Sequence, residues 1–168
     1  NHLDLRARLL AEGDTTSWRG HSDTETLVAG FAHWGVERTL ELATGMFAIA
    51  LWDRQERVLT LARDRMGEKP LYCGWQGNRF LFGSELKALR AHPSFAAPVD
   101  TDALGLLLRF NYIPAPYSIY QGIRKLPPGT WLQVSAAQRD AEPVAYWSLA
   151  KVAERGMANP FQGTDEEA

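Results

Sequence analysis

The sequence predicts an α+β layered domain in which helices flank antiparallel strands. Three observations carry that expectation. Apolar residues recur at helical spacing between residues 23 and 42. A continuous apolar run at 46–52 is too short for most helices. From that run onward, two pairs of short apolar runs are each joined through a polar or Gly-containing turn.

Taken in order, Leu3-Asp4-Leu5-Arg6-Ala7-Arg8-Leu9-Leu10 has a helical composition and stops at Gly13, because Gly past the last apolar residue is the usual end of a helix. A second helix starts after Ser22. Its Leu27, Val28, Phe31 and Trp34 share one face of a 3.6-residue period, a face expected to lie on a sheet. Gly35 separates it from a short helix over 36–42. The run at 46–52, bounded by Gly45 and the turn Asp53-Arg54-Gln55-Glu56, suits a strand covered on both faces. Residues 58–62 return as its hairpin partner. A second hairpin, 71–75 with 79–83, turns through Gln76-Gly77-Asn78, so the centre reads as an antiparallel meander. Ser84 is placed to cap a helix over 85–91, stopped before Pro93, and Asp100 to cap another that ends near Asn111. Pro114, Pro116, Pro127 and Pro128 then set extended or turn geometry, followed by one late strand over 130–134. After Trp147 the chain turns polar and ends in Thr164-Asp165-Glu166-Glu167, a composition expected of a loosely ordered tail or linker.

At 168 residues the chain has the size of one domain, and 45% apolar with 23% charged residues is the balance of an ordinary globular core. The net charge of -2 is spread without a run of like charges, so neither nucleic acid nor an anionic membrane is an expected partner. No stretch approaches the length of a membrane span, and no secretory signal opens the chain. A single cysteine builds no internal disulfide, which fits a cytoplasmic location. The chain opens on Asn1-His2 instead of Met and enters a helix at once, the pattern of an internal piece of a longer chain.

Ser22-Asp23-Thr24-Glu25 has the form of a capping box, with the Ser22 hydroxyl accepting from Glu25 N–H and the Glu25 carboxylate reaching back to Ser22 N–H. Capping also favours Asp23, since a carboxylate in the first helical turn meets the positive end of the dipole. A binding role stays open beside it: a carboxylate at the head of a helix can hold the ammonium group of an amino acid. Arg63-Asp64-Arg65-Met66-Gly67-Glu68-Lys69-Pro70 packs charges, Gly and Pro between two strands. It reads either as a turn with a solvated charge cluster, or as a loop fixed near a functional face by a partly buried Arg63–Asp64 pair, with Gly67 supplying an unusual backbone angle. Cys73, in an apolar strand, reads as a core residue and not as a nucleophile. His2, His21, His33 and His92 show no metal-ligand spacing, and there is no Gly-rich phosphate loop.

Five stretches in this order resemble the class II glutamine amidotransferase domain of glutamine-dependent asparagine synthetases: Asn1-His2-Leu3-Asp4-Leu5-Arg6, Ser22-Asp23-Thr24-Glu25, the run at 45–53, the loop at 62–72, and Gly83-Ser84-Glu85-Leu86-Lys87-Ala88-Leu89. The resemblance is greatest to the asparagine-synthetase-like proteins of bacterial polysaccharide clusters. The segment from about 111 to 129 looks like the connection toward a synthetase domain.

The resemblance implies an amino-terminal-nucleophile (Ntn) hydrolase fold, antiparallel sheets stacked between helix layers (αββα), present here in part. It implies a partial glutaminase domain over 1–150, with the connection from 111, and a tail or linker over 151–168. In the family an amino-terminal cysteine attacks glutamine, its α-amino group moves the protons, and an Asn-Gly pair holds the oxyanion. Asp23 matches the aspartate that binds the glutamine α-amino group. Asn1 matches the last residue of the family's Asn-Gly-Glu-Ile-Tyr-Asn stretch, so the nucleophile and the oxyanion pair fall before this chain and it is expected to hold no catalytic residue. ATP and magnesium are expected for the synthetase domain and no cofactor for this piece. The implied function is supply of ammonia to an ATP-dependent amidation of aspartate, with glutamine and the synthetase domain as partners. Transfer to a sugar carboxylate in surface-polysaccharide synthesis, or a non-catalytic scaffold role, are the alternatives. Sheet edges left open by missing strands make a homodimer an expectation as well.

Overall fold

Local stops and caps divide the first 43 residues into three helices in the computed structural model, which describes residues 1–164. They are α1 (His2–Ala11), α2 (Asp23–Trp34) and α3 (Val36–Leu42). The expected apolar stripe of α2 is not its buried one: Val28 is exposed, while Thr26, Ala29 and Gly30 are buried. Small side chains decide this, because α2 packs between α1 and α3, and at Gly30 even a methyl group would stand 3.0 Å from Thr39 Cγ2.

The strands follow as β1 (Ala48–Asp53), β2 (Val58–Arg63), β3 (Tyr72–Gln76) and β4 (Arg79–Gly83), within a residue or two of the expected hairpins. After them come α4 (Leu86–Arg90), α5 (Thr101–Phe110), β5 (Arg124–Lys125), β6 (Thr130–Val134), β7 (Val144–Ala145) and α6 (Leu149–Ala158). Asp100 caps α5 as expected, accepting from the amides of Asp102 and Ala103 at 3.0 and 3.1 Å. Ser84 does not cap α4, which starts one residue later with Glu85 in the cap position and no side-chain bond there.

The hairpins of the expected meander fall into two sheets, as the resemblance implied. One has the order β1-β2-β6-β7 and the other β4-β3-β5, all pairs antiparallel. The two hairpins separate because the apolar faces of β2 and β3 meet each other. Leu61, Leu132 and Val134 of the first sheet, Cys73 of the second, and the flanking Leu71 and Leu126 form one core between them. Outside the second sheet, Leu89 of α4 packs on Leu81 and Ile123.

The strand expected to be covered on both faces is corrected. β1 is an edge strand with no buried residue, and Trp52 is exposed. Its neighbour β2 holds the doubly covered place, with residues 60–63 all buried. An apolar run records what its side chains tolerate; the order of strands in the sheet decides which faces are covered.

The segment from 111 does not leave the domain at once. β5 pairs with β3, and β6 lies between β2 and β7 inside the first sheet. Half of the expected tail is also ordered: α6 begins where the Ser148 hydroxyl accepts from Lys151 N–H, and an N-cap of that kind starts a helix whether or not the helix is buried. Residues 165–168 of the tail lie outside the described residues.

Candidate functional site

Asp23 stands in the first turn of α2 with its side chain exposed. Oδ1 accepts from Thr24 N–H at 2.7 Å and from Thr24 Oγ1 at 3.4 Å. Oδ2 makes no hydrogen bond among the described residues, so half the carboxylate remains available at the positive end of the helix. Asp23 lines a cleft of about 220 Å³, on the scale of a single amino acid. Asn1, His2, Leu5 and Leu27 line it with Asp23, and residues 43–47 form a further stretch of its wall.

That stretch of wall is the link from α3 to β1, and it is pinned at both ends. The Asn1 carboxamide accepts from Thr44 N–H at 2.8 Å and donates to the Leu42 carbonyl at 3.0 Å. At the other end, Asp64 N–H donates to the Phe47 carbonyl at 3.0 Å, and Asp64 Oδ2 accepts from Phe47 N–H at 3.3 Å.

The loop after β2 is built around Arg63 and Asp64, but not as a pair. Asp64 is 1% exposed. Besides Phe47, its carboxylate accepts from Glu68 N–H at 2.8 Å and Lys69 N–H at 2.9 Å. Burial works against the charge, yet these backbone donors together hold the carboxyl below its ordinary range. The Arg63 guanidinium donates instead to the carbonyls of Gly67, Lys69 and Leu126, at 2.5, 2.8 and 2.7 Å. Each charge therefore closes the loop through backbone groups of the opposite polarity. Gly67 has the left-handed φ of +68°, and a methyl group there would meet Pro128 Cγ at 2.7 Å. Of the expected fixed loop, the unusual Gly67 angle is present and the direct Arg63–Asp64 ion pair is not.

The capping box is corrected in the same way. The Ser22 hydroxyl accepts from Thr24 N–H at 3.1 Å, not from Glu25. The Glu25 carboxylate reaches past Ser22 to the amides of Arg19 and Gly20, at 2.7 and 3.2 Å, and these backbone donors, Arg19 first, lower its pKa. The loop before α2 curls back because Arg6 holds it: the guanidinium donates to the Gly20 carbonyl at 2.8 Å and to Thr26 Oγ1, and lies 4.1 Å from the Trp18 ring centroid. Arg6 thus sets the approach to Asp23. Its partners lie 14–20 residues along the chain, so nothing in its local sequence marks it.

Cys73 lies in the inter-sheet core at 1% exposure, away from Asp23, and burial pushes its thiol up to about 11. His33 lies near Glu12 and Asp14, at 3.7 and 3.8 Å. Among the described residues no group of three or more His, Cys, Asp or Glu is placed to hold a metal ion, and no helix is long and apolar enough to cross a membrane.

Residues 1–147 match the family described as "Glutamine amidotransferase domain". The chain is 38% identical over 136 residues to "Asparagine synthetase [glutamine-hydrolyzing] 3" of Bacillus subtilis, covering 80% of this chain and 22% of that protein. It is 32% identical over 151 residues to "Putative asparagine synthetase [glutamine-hydrolyzing] 2" of Methanocaldococcus jannaschii, 89% of this chain and 28% of that one. Its fold is similar to that of a glutamine phosphoribosylpyrophosphate amidotransferase from B. subtilis, with a TM-score of 0.60 and 19% identity over 88% of this chain and 27% of the other. That likeness shows the fold alone, helices packed with antiparallel sheets. The chain spans 22–28% of the length of these two curated relatives.

Proposed function

The chain belongs to the glutamine amidotransferase domain family, and from that premise we propose that it forms part of the glutamine site of a longer, asparagine-synthetase-like amidotransferase. The observation that carries the reading is the Asp23 carboxylate, half unbonded at the head of α2, in the lining of a cleft of about 220 Å³. Its charge suits the α-ammonium group of glutamine, and the dipole of α2 favours the anion that does the holding.

In this reading the longer protein hydrolyses glutamine and passes the ammonia to an activated carboxylate, with aspartate as acceptor. ATP and magnesium belong to the part that activates the acceptor. In this reading the contribution of this chain is to bind glutamine through Asp23 and to shape its pocket. Cys73 is buried and weakly acidic, and no other cysteine is present. The 168-residue chain alone is therefore expected to release no glutamate.

The test is glutamate release from glutamine by the longer gene product, wild type against Asp23→Asn. The substitution is expected to raise the KM for glutamine by at least about tenfold, while activity with free ammonia is kept. An unchanged KM would remove Asp23 from the site. Supplying aspartate or a uronic acid as acceptor separates amino-acid from sugar amidation, and a longer protein with no glutamate release would be a scaffold.

A further inference from the structure

The loop at 64–69 contributes no residue to the lining of the Asp23 cleft, and its most buried charge has no part in the function proposed above. Asp64 uses every polar atom it has. Its amide and Oδ2 take the carbonyl and amide of Phe47, its carbonyl accepts from Gly67 and Gly129 at 3.1 and 2.9 Å, and Oδ1 takes Glu68 N–H. Phe47 is the last residue of the 43–47 stretch that lines the cleft with Asp23. Between the pins at Thr44 and Phe47, Gly45 and Met46 make no hydrogen bond among the described residues, and Met46 is 58% exposed. The position of this wall therefore depends on its two ends. One end is held by a carboxamide and the other by a buried carboxylate.

We propose that Asp64 is a positioning residue of the Asp23 pocket: its two-point contact with Phe47 sets the distance between the 44–47 wall and the Asp23 carboxylate, and so the fit of glutamine. The inference rests on the assignment of Asp23 to glutamine. Asp64 touches no substrate in this scheme. It acts through the backbone of Phe47, and a displaced wall weakens the ground-state fit of the ligand more than the chemistry that follows.

The experiment uses the longer gene product, with Asp64→Asn, Asp64→Ala and, as a control in the inter-sheet core, Leu132→Ala. Asp64→Asn is expected to raise the KM for glutamine about fivefold and Asp64→Ala about tenfold or more, with kcat within about threefold of wild type. Leu132→Ala, which lowers stability without touching the wall, is expected to leave KM within about twofold. A KM unchanged in both Asp64 variants overturns the proposal, as does an equal rise in Leu132→Ala. Should the Asp64 variants not fold, hydrogen exchange of the wild-type protein decides: saturating glutamine should protect the segments 44–47 and 64–69 together. Protection of 44–47 alone overturns the coupling. A wild-type protein that neither turns over nor is protected by glutamine refutes the Asp23 assignment itself and the coupling with it, whereas turnover with an unchanged Asp64→Asn KM refutes only the coupling.

Discussion

Arg63→Met keeps most of the side-chain length and removes the three hydrogen bonds that close the 63–69 loop. The guanidinium donates to the carbonyls of Gly67, Lys69 and Leu126. Leu126 is 0% exposed, so its carbonyl has no route to water, and an orphaned buried acceptor costs about 1–3 kcal/mol. Gly67 is half-buried and Lys69 exposed, so water replaces those two bonds at a loss of roughly 0.5–1 kcal/mol each. Against this, methionine relieves the cost of burying a guanidinium, the main reason the Arg63 pKa is lowered. The net expectation is a destabilisation of about 2–3 kcal/mol. Urea unfolding followed through the fluorescence of the six tryptophans measures it, as a lower midpoint at unchanged m. Arg63→Lys should recover less than half, because an ammonium on a linear stem cannot span three carbonyls that a planar fork reaches. A loss under about 1 kcal/mol for the methionine variant would refute the reasoning: desolvation would then cancel the three bonds.

Further expectations concern β3 and α5. Burial raises the Cys73 thiol from 9.0 to about 11, so at pH 8 a maleimide should react only at the rate of unfolding, and urea should speed the reaction in step with lost fluorescence. A raised pKa stabilises the fold fully below pH 9 and loses that contribution, about 3 kcal/mol at most, as pH climbs toward 11; melting of wild type and Cys73→Ala between pH 8 and 10.5 should show a steeper fall in wild type. Gly74 packs against backbone: an added Cβ would stand 1.9 Å from the Gly122 carbonyl oxygen. Gly74→Ala should cost more than about 4 kcal/mol or prevent folding. Gly105→Ala, on α5 with nothing within 4 Å, should stabilise by up to about 1 kcal/mol, and thermal melts of the two variants give the comparison.

Features that depend on near neighbours are legible in the chain itself. Ser22 and Asp100 start their helices, Gly13 follows the end of α1, and the β3–β4 turn contains Gly77. Period and turn chemistry act over a few residues, and the chain reports them directly. Gly67 is readable too, since a Gly among charges before Pro70 marks a special backbone angle.

Contacts made across the fold are not readable in that way. Whether Arg63 bonds Asp64 or three carbonyls depends on Leu126, 63 residues away, and Asp64 reaches Phe47 only because β1 and β2 pair in the register Ala48 with Arg63. Arg6 holds the loop before α2 because α1 and α2 pack together. Residue types at short or motif-defined spacing were enough to specify the helices, the hairpins, the family resemblance and the candidacy of Asp23. Packing alone made β1 an edge, set the two hairpins face to face across a core, and tied Phe47, which lines the Asp23 cleft, to a buried carboxylate. Those outcomes follow from which apolar faces cover one another and where buried charges find backbone partners, and both depend on residues brought together only by folding.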